Sequence, residues 1–174
     1  MEKALRELLD KQQIYEVALR YCRGLDRMDF ELVRSCYHPD GIDHHTGFSG
    51  LRDDWVAHVE GIVRRFGGTQ HIIANHLAEV CGDIAYAETY GTAHHWGNPL
   101  DDPRLNFYCG FRSVDRLQRR DGEWRIAERH SIREWTRRTD PQNVLEREAP
   151  GTPSHRDRSD ISYARGTRAQ DHGP

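Results

Sequence analysis

The chain has no apolar run near the ~20 residues that a membrane-spanning helix needs. Its opening stretch, MEKALRELLDKQQ, is charged and helix-patterned, unlike an apolar leader. These two absences point to a soluble domain, expected in the cytoplasm. An excess of positive charge is missing too. With a net charge of -3 there is no electrostatic footprint for nucleic acid or an anionic membrane surface, so neither is expected as a partner. The four cysteines, Cys22, Cys36, Cys81 and Cys109, form no CxxC pair. They are expected to be buried free thiols rather than a disulfide framework, and none has a basic sequence neighbour to make it a nucleophile. Glycine-rich phosphate loops, Gly-x-Ser-x-Gly elbows, HxH and HExxH are all absent. The eleven histidines include two adjacent pairs, His44-His45 and His94-His95, but neighbours on a strand point to opposite faces and cannot share one metal. One member of each pair is expected to line a cavity and the other to meet solvent or a subunit contact. No metal and no organic cofactor are expected.

What is present is one domain's worth of core: 174 residues, 36% hydrophobic, with no internal repeats. Residues 3–23 read as a helix, since Leu5, Leu8, Leu9, Tyr15, Ala18, Leu19 and Cys22 recur at three- and four-residue spacing. Gly24 is the expected stop, which puts Asp26 in a turn. Asp29 caps a short helix, FELVRSCY, closed by Pro39. A short strand, IDHHT, precedes a third helix from about Leu51 to Phe66, ended by Gly67-Gly68. The stretch from Thr69 to Trp96 then reads as two strands around a tight Gly82-Asp83 turn. Two more long strands follow, joined at Arg120-Asp121-Gly122. Helices first and consecutive antiparallel strands after them imply an α+β domain over residues 1–138, with a curved sheet wrapped over three helices. Residues 139–174 hold four of the seven prolines and few apolar residues. They are expected to be a disordered tail, or an arm anchored on a neighbouring subunit through Val144, Leu145, Ile161 and Tyr163.

Strict alternation along the first long strand puts His71, Ile73, Asn75, Leu77 and Glu79 on one face. A histidine and an asparagine among apolar neighbours belong either to a core with two satisfied polar residues or to the wall of a pocket. Histidine takes a proton at neutral pH, and a buried carboxylate on one ring nitrogen fixes the useful tautomer. Asp26 follows the first helix, where an aspartate taken alone is more often a turn or cap residue than a catalytic partner. Tyr21 is either a core aromatic with a satisfied hydroxyl or a proton donor or carbonyl-polarising group, and Asn75 is a hydrogen-bonding pocket residue. On the last strand, alternation puts Trp124, Ile126, Glu128, His130 and Ile132 together and Arg133 on the other face. Parity therefore favours His130, and Arg133 reaches the pocket of His71 only through a β-bulge. Trp55, Trp96, Phe107 and Tyr108 are core aromatics, some of which would form an apolar wall for a hydrophobic substrate.

The segments YCRGLD, YHPDG, TQHIIANHLAEV, GDIAYAETY and DGEWRIAER, in this order over residues 4–138, resemble the SnoaL-like group of the nuclear transport factor 2-like superfamily. The resemblance implies a cone-shaped, barrel-like fold enclosing a cavity. Within the superfamily the pattern is similar to scytalone dehydratase, hexachlorocyclohexane dehydrochlorinase and bile acid 7α-dehydratase. Their aspartate and histidine fall on Asp26 and His71, and a tyrosine and an arginine of the last fall on Tyr21 and Arg133. The resemblance implies a cofactor-independent lyase, a dehydratase acting on a hydroxylated steroid-like or aromatic-ketone substrate by β-elimination, and a homo-oligomer, specifically a trimer. Two alternatives come with it. A ketosteroid isomerase-like enzyme would need Glu79, Glu88 or Glu128 buried in the cavity as its base. A non-catalytic small-molecule binder, or a protein like the β subunit of a ring-hydroxylating dioxygenase, would need neither.

Overall fold

The computed structural model describes residues 1–97, 106–138 and 155–163. Three helices, α1 (Glu2–Asp26), α2 (Phe30–Ser35) and α3 (Arg52–Val63), pack inside a curled sheet of six strands. The strands are β1 (Tyr37–His45), β2 (Phe48–Leu51), β3 (Gly68–Cys81), β4 (Ile84–Trp96), β5 (Phe107–Arg120) and β6 (Glu123–Arg138). Their order across the sheet is β2-β1-β6-β5-β4-β3; β1 and β6 run parallel, and every other pair is antiparallel. The α+β class and the four long antiparallel strands are as the residue pattern implies. The strand among the helices is longer than expected and has a partner, because Tyr37–His45 and Phe48–Leu51 form a hairpin of their own.

The core is one cluster. Ile14, Val17, Tyr21, Cys22 and Leu25 face it from α1, Phe30 and Val33 from α2, and Trp55, Val56, Val59 and Val63 from α3. The sheet contributes three small residues, Ala78, Ala85 and Ala87, and three large ones, Leu117, Trp124 and Ile126. Leu5, Leu8 and Leu9 do not join it. They are exposed.

Gly24 does not stop α1, which continues to Asp26. Its role is close approach: a Cβ there would lie 2.6 Å from Val33 Cγ2, so α2 could not seat against α1. The chain turns away from the helix at Met28, two residues beyond its end, which takes a positive φ of 51°. Asp29 caps α2 as expected, accepting from the Leu32 N–H at 3.2 Å. The β3–β4 connection is a two-residue turn with Gly82 at φ 62°, a conformation that costs glycine little.

Three β-bulges set which side chains face inward. On β3, Ala74 and Asn75 together oppose Tyr90, so the alternation reverses after Ile73. On β6, Ala127 is an extra residue between the Leu117–Ile126 and Arg116–Glu128 pairs, and Glu134 is another between the Phe111–Arg133 and Gly110–Trp135 pairs. Residues 155–163 lie back on their own chain: Arg23 donates to Ser162 Oγ (3.1 Å), Tyr163 OH to Asp29 Oδ2 (3.0 Å), and Arg27 pairs with Asp160 (3.6 Å). Tyr163 thus anchors on α1 and α2 of the same molecule, and Ile161 is exposed. Val144 and Leu145 lie outside the described residues. The cysteines are unpaired, and Cys22, Cys36 and Cys109 are buried; Cys81, at the end of β3, is exposed rather than buried.

Candidate active site

The last turn of α1 abuts the start of β3, the edge strand of the sheet. An edge strand has N–H groups without a strand partner, and His71 donates its own to Asp26 Oδ2 at 2.9 Å. Thr69 Oγ1 donates to Asp26 Oδ1 at 3.1 Å, and His71 Nδ1 lies 2.7 Å from the same oxygen. A carboxylate at a helix C-terminus is disfavoured by the helix dipole; three donors from one strand offset that. The carboxylate fixes the His71 proton on Nδ1, leaving Nε2 as the free basic atom. Both side chains are largely buried, His71 10% and Asp26 15% exposed. Arg156, from the C-terminal segment, donates to the Phe66 carbonyl and approaches Thr69 Oγ1 (3.4 Å), so it backs the carboxylate from behind.

His71 lines a cavity between α1, α3 and the concave face of the sheet, walled mainly by apolar and aromatic side chains. The space measures about 740 Å³ with its open mouth. A family model for the SnoaL-like domain matches residues 6–130. The chain belongs to this SnoaL-like family. Solved structures of the same shape include a hexachlorocyclohexane dehydrochlorinase, LinA-type3, from Novosphingobium barchaimii (14% identity, TM-score 0.71, 85% of this chain and 99% of that one). Another is a protein named as a scytalone dehydratase, from Novosphingobium aromaticivorans (21% identity, TM-score 0.69, 80% and 97%). A third, from the same organism, is an NTF2-like protein with a cystatin-like fold (22% identity, TM-score 0.64, 76% and 87%). At these identities the likeness carries the fold. No curated protein gives a significant match.

The other expected residues of this SnoaL-like site divide. Tyr21 and Trp55 line the cavity, and neither the Tyr21 hydroxyl nor Trp55 Nε1 has a hydrogen-bond partner among the described residues. Burial, with the nearby charge of Asp43, pushes the Tyr21 hydroxyl well above its usual range, so it stays protonated with its O–H free to donate. Its ring rests on Arg129, 4.3 Å from guanidinium carbon to centroid, and Arg129 is held by Asp115 through two 2.7 Å hydrogen bonds. Arg133 also lines the cavity, at its exposed mouth and packed over Phe107 (5.1 Å). The Ala127 bulge is what turns it inward.

Asn75 and His130 are corrections. The Ala74–Asn75 bulge reverses parity, and Asn75 is exposed and absent from the cavity wall, whereas His76 faces inward to Thr89 (2.8 Å). His130 sits on the outer face of the sheet, its ring stacked on His44 at 4.4 Å. His44, Glu128 and His130 are close enough to suggest a metal site. His44 Nε2 and His130 Nε2 lie 3.5 and 3.6 Å from the same oxygen, Glu128 Oε1, and Arg116 engages the other oxygen at 3.5 Å, so this carboxylate already has three side-chain partners.

Sequence alone does not choose between the members of the two histidine pairs. Of each histidine pair one member does line the cavity: His45 and His95. Buried against Phe107 (4.2 Å, stacked) and edge-on to His71 (5.5 Å), His95 has its pKa pushed down to about 2 by burial first, then by His71 and Arg133. It is a neutral neighbour that does not compete with His71 for a proton. Among the aromatic residues, Phe107 joins the wall with Trp55, while Trp96 and Tyr108 lie outside it.

Proposed function

We propose that this SnoaL-like protein is a cofactor-independent lyase that removes water from a β-hydroxy ketone, with Asp26 and His71 as its catalytic dyad. The observation that carries the reading is the 2.7 Å contact between His71 Nδ1 and Asp26 Oδ1, inside a mostly apolar cavity. His71 Nε2 takes the proton on the carbon beside the carbonyl, and Asp26 stabilises the imidazolium that forms. The Tyr21 hydroxyl, buried and unpartnered, hydrogen-bonds the carbonyl oxygen as charge develops there. Arg133 at the mouth orients the same oxygen or a ring hydroxyl. The C–H electrons pass through the enolate to the new double bond, and the hydroxyl leaves from the adjacent carbon.

An isomerase of the ketosteroid kind has less support. Glu79 is exposed, Glu88 is bound by Arg112 (2.9 Å), and Glu128 lies on the outer face, so none of the three reaches the cavity. A homo-oligomer, a trimer, and a cytoplasmic location belong to the same proposal. Exposed Ile72, Leu77, Tyr86 and Trp135 on the outer sheet face, with the exposed Leu5, Leu8 and Leu9, support association. No helix among the described residues is long and apolar enough to cross a membrane.

The test uses the aldol adduct of benzaldehyde and acetone, an aromatic β-hydroxy ketone whose loss of water gives a conjugated, strongly absorbing enone. Turnover by the full chain that disappears in His71→Gln is the expected result. Tight binding with no turnover, in this compound and in bicyclic β-hydroxy ketones alike, would favour the non-catalytic binder.

A further inference from the structure

The cavity holds a second carboxylate–histidine pair, on the wall built by β1 and α3. Residues i and i+2 of a strand share a face, and on β1 these are Asp43 and His45. Asp43 has no exposed surface at all. Its Oδ2 accepts from Tyr37 OH at 2.5 Å, and its Oδ1 lies 2.8 Å from His45 Nδ1. The His45 ring is clamped flat on Trp55 (4.1 Å between centroids, 18° between planes), and His45 lines the cavity that His71 lines. The arrangement repeats that of Asp26 and His71: a buried carboxylate, a second donor holding that carboxylate, and a ring whose Nδ1 is engaged so that Nε2 is the free nitrogen. A lone buried aspartate held by a tyrosine would need no histidine aimed into a cavity. A histidine packed only for shape would need no buried carboxylate.

We propose that His45, held by Asp43, is the general acid that protonates the departing hydroxyl. This rests on the lyase reading and supplies what it lacks, because one histidine that has just taken a proton is poorly placed to give another to a leaving group elsewhere on the substrate. The step balances without a co-reactant. His71 Nε2 takes the proton from carbon, the C–H pair becomes the double bond, and the C–O bond breaks with its pair on oxygen. That oxygen takes the proton of His45 Nε2–H and leaves as water. His45 ends neutral and His71 protonated, and exchange with water in the open cavity resets both. Asp43 keeps the Nδ1 proton of His45 in place throughout and stabilises the charged ring before transfer. Tyr21 then serves the carbonyl alone, which suits a hydroxyl that burial keeps protonated.

The experiment compares leaving groups on the full chain. One substrate is the aldol adduct above, which must expel hydroxide and needs an acid. The other is the matching ketone with para-nitrophenoxide in place of hydroxyl, which departs unprotonated and is followed by its colour. His45→Gln is expected to slow loss of water by at least ~100-fold and loss of nitrophenoxide by less than ~10-fold. His71→Gln is expected to abolish both. Equal slowing of both substrates by His45→Gln, or no slowing of either, would overturn the acid role while leaving the lyase reading intact. Wild-type chain inert to both compounds, or His71→Gln as active as wild type, would remove the lyase reading itself and this step with it. Should His45→Gln fail to fold by circular dichroism, Asp43→Asn leaves the ring on Trp55 and carries the same comparison, with the same selective loss expected.

Discussion

Replacing Asp26 by Asn isolates the charge and the tautomer while keeping the shape. Asp26 presents two oxygens to three donors: the His71 N–H at 2.9 Å on Oδ2, and Thr69 Oγ1 and His71 Nδ1 at 3.1 and 2.7 Å on Oδ1. Asparagine has one oxygen. The backbone N–H cannot turn away, so the amide oxygen stays with it and the NH2 group faces the ring. His71 Nδ1 must then become the acceptor, which moves its proton to Nε2, the atom that should take the substrate proton. The same tautomer reversal in the serine protease triad is worth about 10⁴ in kcat. Asp26→Asn is therefore expected to lose about 10³–10⁴ in kcat, or ~4–5.5 kcal/mol of barrier at ~1.4 kcal/mol per decade. Folding loses much less. One charge-assisted contact becomes neutral and one hydroxyl loses an acceptor, about 1–3 kcal/mol, which lowers Tm by roughly 2–4 °C per kcal/mol in a chain of this size. The assay pairs initial rates on the β-hydroxy ketone with a thermal melt. A variant within tenfold of wild-type kcat, or one that loses activity only in proportion to its loss of fold, would refute the tautomer argument.

Other outcomes follow from the same geometry. His71→Gln, which keeps volume and a polar end, should abolish turnover with Tm nearly unchanged; a large drop in Tm would mark His71 as a satisfied core residue. Removing one half of the buried Arg129–Asp115 pair, as in Arg129→Met, should cost ~3–5 kcal/mol by stranding a charge, whereas the double change to apolar residues should cost less, both read by urea unfolding. His95 is held neutral with its pKa near 2, below the ~6.5 of an unfolded chain, so the unfolded state binds more protons between those pH values. Stability from this group is thus complete above pH 6.5 and falls as pH drops, by up to ~1.4 kcal/mol per unit; His95→Phe should flatten that acid limb between pH 7 and 5. Light scattering is expected to give a trimer, and a monomer or dimer would remove the assembly proposed above.

The helices and long strands were readable because each is long and strongly periodic, and two tight turns carry residues with few other uses. Alternation also marked His71, as a polar residue among apolar neighbours, and the family resemblance marked Asp26 as its partner. Pocket membership was less readable, and the reason is specific. A β-bulge adds one residue with no compositional signature, yet it exchanges the two faces of everything beyond it. Ala74–Asn75 thereby sent Asn75 outward and His76 inward, and Ala127 sent His130 outward and Arg133 inward. Gly24 misled for a related reason, because a glycine needed for the approach of Val33 looks in sequence like a helix stop. Local chemistry alone therefore determined which elements form and which residues can do acid–base work. Only the tertiary structure, through strand register and the closing of α1 and α3 over the sheet, decided which of them face one another: Asp26 with His71, and Asp43 with His45 across the same cavity.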